Sequence, residues 1–154
     1  MSLTVHAPLS GTLAALANVP DPVFAAQMVG SGMAVEPVGK AGPLDVMAPV
    51  SGQVATVRAH AFVIRTDGGA AILVHLGIDT VRLNGEGFHT HVTEGERVAV
   101  GRKVITFDPD AIRAHGLSAI CPVVVLDSTP GSAQAPAVSG PVRAGALMFS
   151  WAAS

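Results

Sequence analysis

The sequence predicts an all-β protein, an antiparallel sandwich or barrel, and three observations carry that prediction. Short apolar runs rich in Val and Ile (54–57, 62–65, 71–76, 98–107 and 122–126) are each bounded by turn residues, the pattern of strands rather than helices. Glycine and proline supply 28 of the 154 residues and are spread along the chain instead of pooled in a linker. Their usual share is about 12%. Finally, Ala7-Pro8-Leu9-Ser10-Gly11-Thr12-Leu13-Ala14 recurs as Ala48-Pro49-Val50-Ser51-Gly52-Gln53-Val54-Ala55, with a degenerate third copy at 137–142. A second unit, Val98-x-x-Gly101-x-x-Val104, recurs as Val142-x-x-Gly145-x-x-Met148. Strand, glycine turn and strand, repeated in this way, predict two similar β units packed face to face.

Taken in order, residues 1–20 carry no charge, but Pro8, Ser10, Gly11 and Asn18 interrupt them and no basic residue precedes them. They lack the basic start and unbroken apolar core of a signal peptide and the length of about 20 apolar residues that a spanning helix needs. Helical turns are expected only at 22–29 and 109–115, where Asp21-Pro22 and Asp108-Pro109 place a capping carboxylate before a proline. Thr66-Asp67-Gly68-Gly69 reads as the turn of a hairpin. The polar stretch 128–134 reads as a surface loop and not a boundary, so residues 1–154 are expected to form one domain.

Composition narrows the function. Hydrophobic residues make up 49% and charged residues 13%, which excludes intrinsic disorder. A net charge of −2 with nine Lys plus Arg gives no footprint for a phosphate backbone, so no nucleic-acid partner is expected. Cys121 is the only cysteine and cannot form an intramolecular disulfide; flanked by Ile120 and Pro122, it reads as an inert buried thiol. A cytoplasmic location without membrane insertion is the expectation.

The six histidines carry the chemistry. His6 and His115 stand among ordinary neighbours. His75 ends the run 71–76, where Val or Ile would pack better, and Gly77 follows two residues later, leaving room for a close approach. His60 precedes Ala61-Phe62 and lies about as far before the 66–69 turn as His75 lies after it; the spacing alone does not make them meet, but two antiparallel strands joined by that turn can bring the rings together. A neutral imidazole can attack phosphorus and carry a phosphoryl group, a second can donate a hydrogen bond to its oxygens, and apolar walls protect the labile P–N bond. His89-Thr90-His91 is a competing pair: in a strand both face one way and can ligate zinc if Asp79 or His75 supplies a third ligand. His-x-His by itself is a weak motif, and zinc there is not predicted.

The run Val74-His75-Leu76-Gly77-Ile78-Asp79-Thr80-Val81, followed by Leu83-Asn84-Gly85-Glu86-Gly87-Phe88, resembles the signature of glucose-type enzyme IIA of the bacterial sugar phosphotransferase system. The likeness extends to Val19-Pro20-Asp21-Pro22-Val23-Phe24, Met28-Val29-Gly30, Met47-Ala48-Pro49-Val50, His60-Ala61-Phe62 and Pro122-Val123-Val124, nearly the whole chain in order. The resemblance implies a barrel-sandwich hybrid with internal duplication. It implies a relay in which HPr donates a phosphoryl group and a cysteine of an enzyme IIB accepts it, with no cofactor beyond the covalent phosphohistidine. By residue match His75 is the phosphorylated residue and His60 steadies the group. Asp21 and Asp79 match acidic flanks that face a basic residue of the donor, while Val23, Phe24, Met28, Val29, Leu73 and Val81 match an apolar docking patch. Three features depart from the family pattern. Arg58 stands where Thr is common, the stretch 52–60 is about two residues short, and 39–45 looks like an insertion.

Three alternatives follow from the residues. A lipoyl or biotinyl carrier shares the Ala-Pro-x-x-Gly pattern but needs a hairpin lysine, and Lys40 and Lys103 lack the required neighbours. A zinc peptidase would use His89 and His91. A regulatory module that has lost phosphotransfer is the third, suggested by Arg58.

Overall fold

The computed structural model describes residues 2–38 and 42–152. The chain runs β1 (Ser2–His6), β2 (Gly11–Ala15), a 3-10 turn (Leu16–Asn18), α1 (Pro22–Ala25), β3 (Gly30–Pro37), β4 (Leu44–Met47), β5 (Gly52–Val57), β6 (Ala61–Arg65) and β7 (Ala71–His75). A second 3-10 turn (Thr80–Leu83) leads to β8 (Phe88–Thr90), β9 (Arg97–Val98), β10 (Lys103–Phe107), α2 (Pro109–Ala114), β11 (Cys121–Leu126), β12 (Gly140–Val142) and β13 (Leu147–Ala152). Every strand pairing among the described residues is antiparallel, and the fold is a β-sandwich with two short helices. Among the described residues no helix is long and apolar enough to cross a membrane.

The eight-stranded sheet has the order β12-β2-β3-β11-β7-β6-β5-β9; β1 pairs β13, and β4-β10-β8 form a third sheet. That order reads as a palindrome about the β11–β7 pair, which is the duplication seen in the sequence. Gly11 pairs Val142 as Gly52 pairs Val98. The two copies also bond to each other: His6 N–H donates to Pro49 C=O at 2.9 Å, and Met47 N–H donates to Pro8 C=O at 2.8 Å. Gly145 N–H reaches Ala7 C=O as Gly101 N–H reaches Ala48 C=O. The units are nested, not consecutive: β4–β7, β9 and β10 form one, inserted between β3 and β11 of the other. In both copies the glycine is obligatory for the same reason. A Cβ on Gly11 or Gly52 would overlap the carbonyl oxygen of Glu36 or Arg65 on the paired strand.

Two sequence expectations are corrected here. The 137–142 segment is not a third copy, since β12 pairs with β2 and occupies the place β9 has in the other unit. The apolar run 98–107 is two strands and not one: residues 99–102 turn, closed by Arg102 N–H to Ala99 C=O, and Val100 there is exposed. The turn residues Asp21 and Asp108 behave as expected, each carboxylate accepting from two backbone N–H groups of the helix it opens. Of the expected insertion at 39–45, residues 39–41 lie outside the described residues.

Strand alternation decides where the site falls. On β7, Ile72 and Val74 face the main core, which also holds Met33, Val35, Val123, Val125 and Phe149. Leu73 points to the opposite face, where a smaller cluster gathers Leu16, Val19, Phe24, Ala34, Ile78, Ile120 and Val124. Central strands covered on both faces read as continuous apolar sequence, as 123–125 do. His75 shares its parity with Leu73 and therefore emerges on the outer face of the sheet's centre, beside α1 and its flanks.

Candidate functional site

His75 is the last residue of β7, and its register partner on β6 is Ala61. His60 precedes Ala61 at the tip of the β5–β6 hairpin, which Arg58 N–H closes by donating to Ala61 C=O. Leu76 N–H then donates to His60 C=O at 2.8 Å, tying the two histidine-bearing segments together. The rings meet edge to face with centroids 5.1 Å apart. The convergence expected from their spacing about the 66–69 turn is therefore present, with His60 on a turn rather than inside a strand.

Nδ1 of His75 lies 2.6 Å from the Gly77 carbonyl oxygen. A carbonyl oxygen only accepts, so Nδ1 carries the proton and Nε2 keeps its lone pair. Gly77 is indispensable to this arrangement. Its φ is +79°, and a Cβ there would stand 2.6 Å from Thr80 Cγ2 and 2.9 Å from Ser118 O. The glycine leaves no open room, contrary to the reading from sequence; it supplies a tight turn that aims a carbonyl back at the ring. Neither this carbonyl nor the buried Thr80 was singled out by the sequence reading, although the Gly-x-x-Thr spacing was visible.

Phe24 packs on the other side of His75, centroids 5.4 Å apart. At 8% exposure it is a wall of the site and the least exposed of the residues expected in the apolar patch. Val23, Met28 and Val81 are exposed, Met28 at 72%, while Val29 and Leu73 are half-buried against the outer cluster. Asp79 is exposed and Asp21 half-buried. Arg58 reaches away to Glu94, an exposed pair at 3.1 Å. A groove of about 650 Å³ lies at the opposite end of β7, against Ala70, Val125 and Trp151. His60 and His75 are themselves half-buried and lie outside that groove.

Burial is the largest influence on both rings and holds each below the ordinary value of 6.5. The neighbouring His75 and then Arg58 depress His60 further. For His75 the hydrogen bond to Gly77 and the carboxylates of Asp21 and Asp79 push back upward without reversing the shift. Both rings are therefore neutral at pH 7. A base whose pKa is lower folded than unfolded is protonated first in the unfolded chain, so acidification below 6.5 costs stability that returns above it. Urea unfolding at pH 5 and pH 7 is expected to show a smaller pH difference in a His60→Gln/His75→Gln variant than in the wild type; an unchanged difference would refute the shifts.

The other titratable groups do different things. His89 and His91 lie on one face with centroids 4.7 Å apart, but His91 Nε2 donates to Thr106 Oγ1, which donates to Asp45. Among the described residues no three His, Cys, Asp or Glu side chains cluster as metal ligands, so neither Asp79 nor His75 completes a site there. His6 and His115 bind backbone carbonyls of Gly145 and Ala111. Cys121 is fully buried, and burial pushes its thiol up to about 12. Lys103 opens β10 instead of standing at a hairpin tip, and Lys40 lies outside the described residues.

A family model described as phosphoenolpyruvate-dependent sugar phosphotransferase system, EIIA 1, matches residues 3–130. A glucose-specific EIIA component from Halalkalibacterium halodurans is 44% identical over 123 residues, 79% of this chain and 69% of that protein. Another from Oceanobacillus iheyensis is 42% identical over 125 residues, covering 80% and 73%. The solved glucose permease IIA from Mycoplasma capricolum superposes with a TM-score of 0.84 at 36% identity, covering 97% of this chain and 96% of that one. With the palindromic sandwich and its paired outer-face histidines in place, the chain belongs to the EIIA 1 family of the sugar phosphotransferase system, the phosphotransferase components of sugar transport.

Proposed function

We propose that this chain is the glucose-type phosphoryl carrier of its transport system. It takes the group from phosphorylated HPr onto His75 and passes it to a cysteine of an enzyme IIB, in the cytoplasm. The observation that supports this reading most directly is the His60–His75 contact with Nδ1 of His75 committed to Gly77. Nε2 attacks phosphorus, the new P–Nε2 bond forms as the donor's P–N bond breaks, and the electron pair returns to the donor ring. The Gly77 carbonyl faces the Nδ1 proton and favours the positive character the phosphorylated ring acquires. His60 donates to the phosphoryl oxygens, whose charge must be met in the loose transition state. In the second step the IIB thiolate attacks the same phosphorus and His75 leaves as the neutral ring.

Val23, Met28 and Val81 form the exposed apolar rim on which either partner sits, and Asp21 and Asp79 give that rim a negative charge suited to a basic donor surface. Incubation with phosphoenolpyruvate, enzyme I and HPr is expected to add one acid-labile phosphoryl group by mass; no gain in mass overturns the reading. Asp21→Asn separates the acidic rim from the helix cap. Asparagine caps as well as aspartate, so melting is expected to stay near wild type. Loading from HPr, by contrast, slows several-fold at low salt and converges with wild type at high salt.

A further inference from the structure

We infer that Thr80 is a positioning residue for phosphoryl transfer: its hydroxyl fixes Leu76 and its methyl fixes Gly77, so the Gly77 carbonyl stays on Nδ1 of His75 and Nε2 is selected as the reacting nitrogen. This rests on the proposed phosphorylation of His75. Thr80 is 1% exposed, an uncommon place for a hydroxyl, and its Oγ1 donates to Leu76 C=O at 2.7 Å. The N–H of the same Leu76 donates to His60 C=O. One residue thus links the His60 turn on one side to Thr80 on the other, and His75 is its chain neighbour. The methyl of Thr80 fills the space against Gly77 that any Cβ would enter.

The segment between them needs such a fastening. Gly77 has φ +79° and Asp79 φ +61°, two positive-φ residues within three, the second carrying a side chain. Ile78 N–H donates to Ser118 C=O at 2.9 Å, which anchors the middle of the segment to the loop that leads into β11. Its two ends are held by the His75–Gly77 bond and the Thr80–Leu76 bond. Without the Thr80 hydroxyl the Leu76 carbonyl is left buried and unpaired, the turn relaxes, and the Gly77 carbonyl no longer fixes the imidazole tautomer.

The test uses the full chain with Thr80→Val, which keeps the shape and removes the hydroxyl, and Thr80→Ser, which restores it. Nitrogen NMR of His75 before phosphorylation reads the tautomer directly. Wild type and Thr80→Ser are expected to carry the proton on Nδ1, and Thr80→Val to show both tautomers. After loading from HPr, Thr80→Val is expected to transfer roughly tenfold more slowly or worse, and to form both phosphohistidine isomers. Thr80→Ser is expected to stay close to wild type in both respects. A Thr80→Val protein with the wild-type tautomer and rate overturns the inference, and so does a wild-type spectrum with the proton on Nε2, which needs no variant to fold. Failure of the wild type to take phosphate on His75 would instead refute the proposed relay, leaving the tautomer measurement to judge Thr80 on its own.

Discussion

His75→Gln is expected to take up no phosphate from HPr, a loss on the scale of about 10⁶-fold that follows removal of a covalent nucleophile. The geometry makes the consequence severe. Nε2 of His75 is the one lone pair in the site held free by a partner on the opposite ring nitrogen, and His60 lacks a carbonyl to set its tautomer among the described residues. The half-buried position and the capacity of a glutamine amide to donate to Gly77 C=O keep the substitution compatible with the fold. Mass spectrometry after incubation with phosphoenolpyruvate, enzyme I and HPr reads the outcome. A full gain of one phosphoryl group in the variant would place the chemistry elsewhere, and mapping that group would show where.

The second large effect belongs to His60→Ala. The nucleophile is untouched, so the variant is expected to reach full occupancy in an end-point assay. Onward transfer to the IIB cysteine is expected to slow by about 10²–10³, the usual result of deleting one preorganised donor to a developing charge. The 5.1 Å between ring centroids puts His60 within hydrogen-bond reach of oxygens on a phosphoryl group at His75. Rapid-quench measurement of transfer to IIB decides it: wild-type speed in His60→Ala would make the second imidazole a packing neighbour only. The exposed Arg58–Glu94 pair does not substitute for it, because that guanidinium is already directed to Glu94 and to Val57 C=O.

Much of the site was legible because its determinants are local. The capping role of Asp21 follows from an aspartate before a proline, and the structure shows its carboxylate accepting from Val23 and Phe24 N–H. The spacing of the two histidines about a glycine turn allows them to meet, and the register holds because β6 and β7 pair directly. The exposure of the apolar residues around the site was only partly legible. Val23 and Phe24 are adjacent and both apolar, yet one is exposed at 42% and the other buried at 8%. Nothing in their identities separates them; the one-turn helix they share presents one to solvent and the other to His75.

The sequence by itself determined the strand-and-turn character of the chain, the duplication and the residue types able to carry phosphorus, since alternation, glycine turns and repeats are properties of neighbouring residues. Only the tertiary structure decided that the repeated units are nested, that β7 and β11 meet at the centre of one sheet, and that the Gly77 carbonyl meets Nδ1 of His75 while the Thr80 hydroxyl meets the Leu76 carbonyl. Those outcomes depend on which distant strands pair and on how a buried turn satisfies its own hydrogen bonds. Both are settled by the packing of the whole chain, not by any stretch of it.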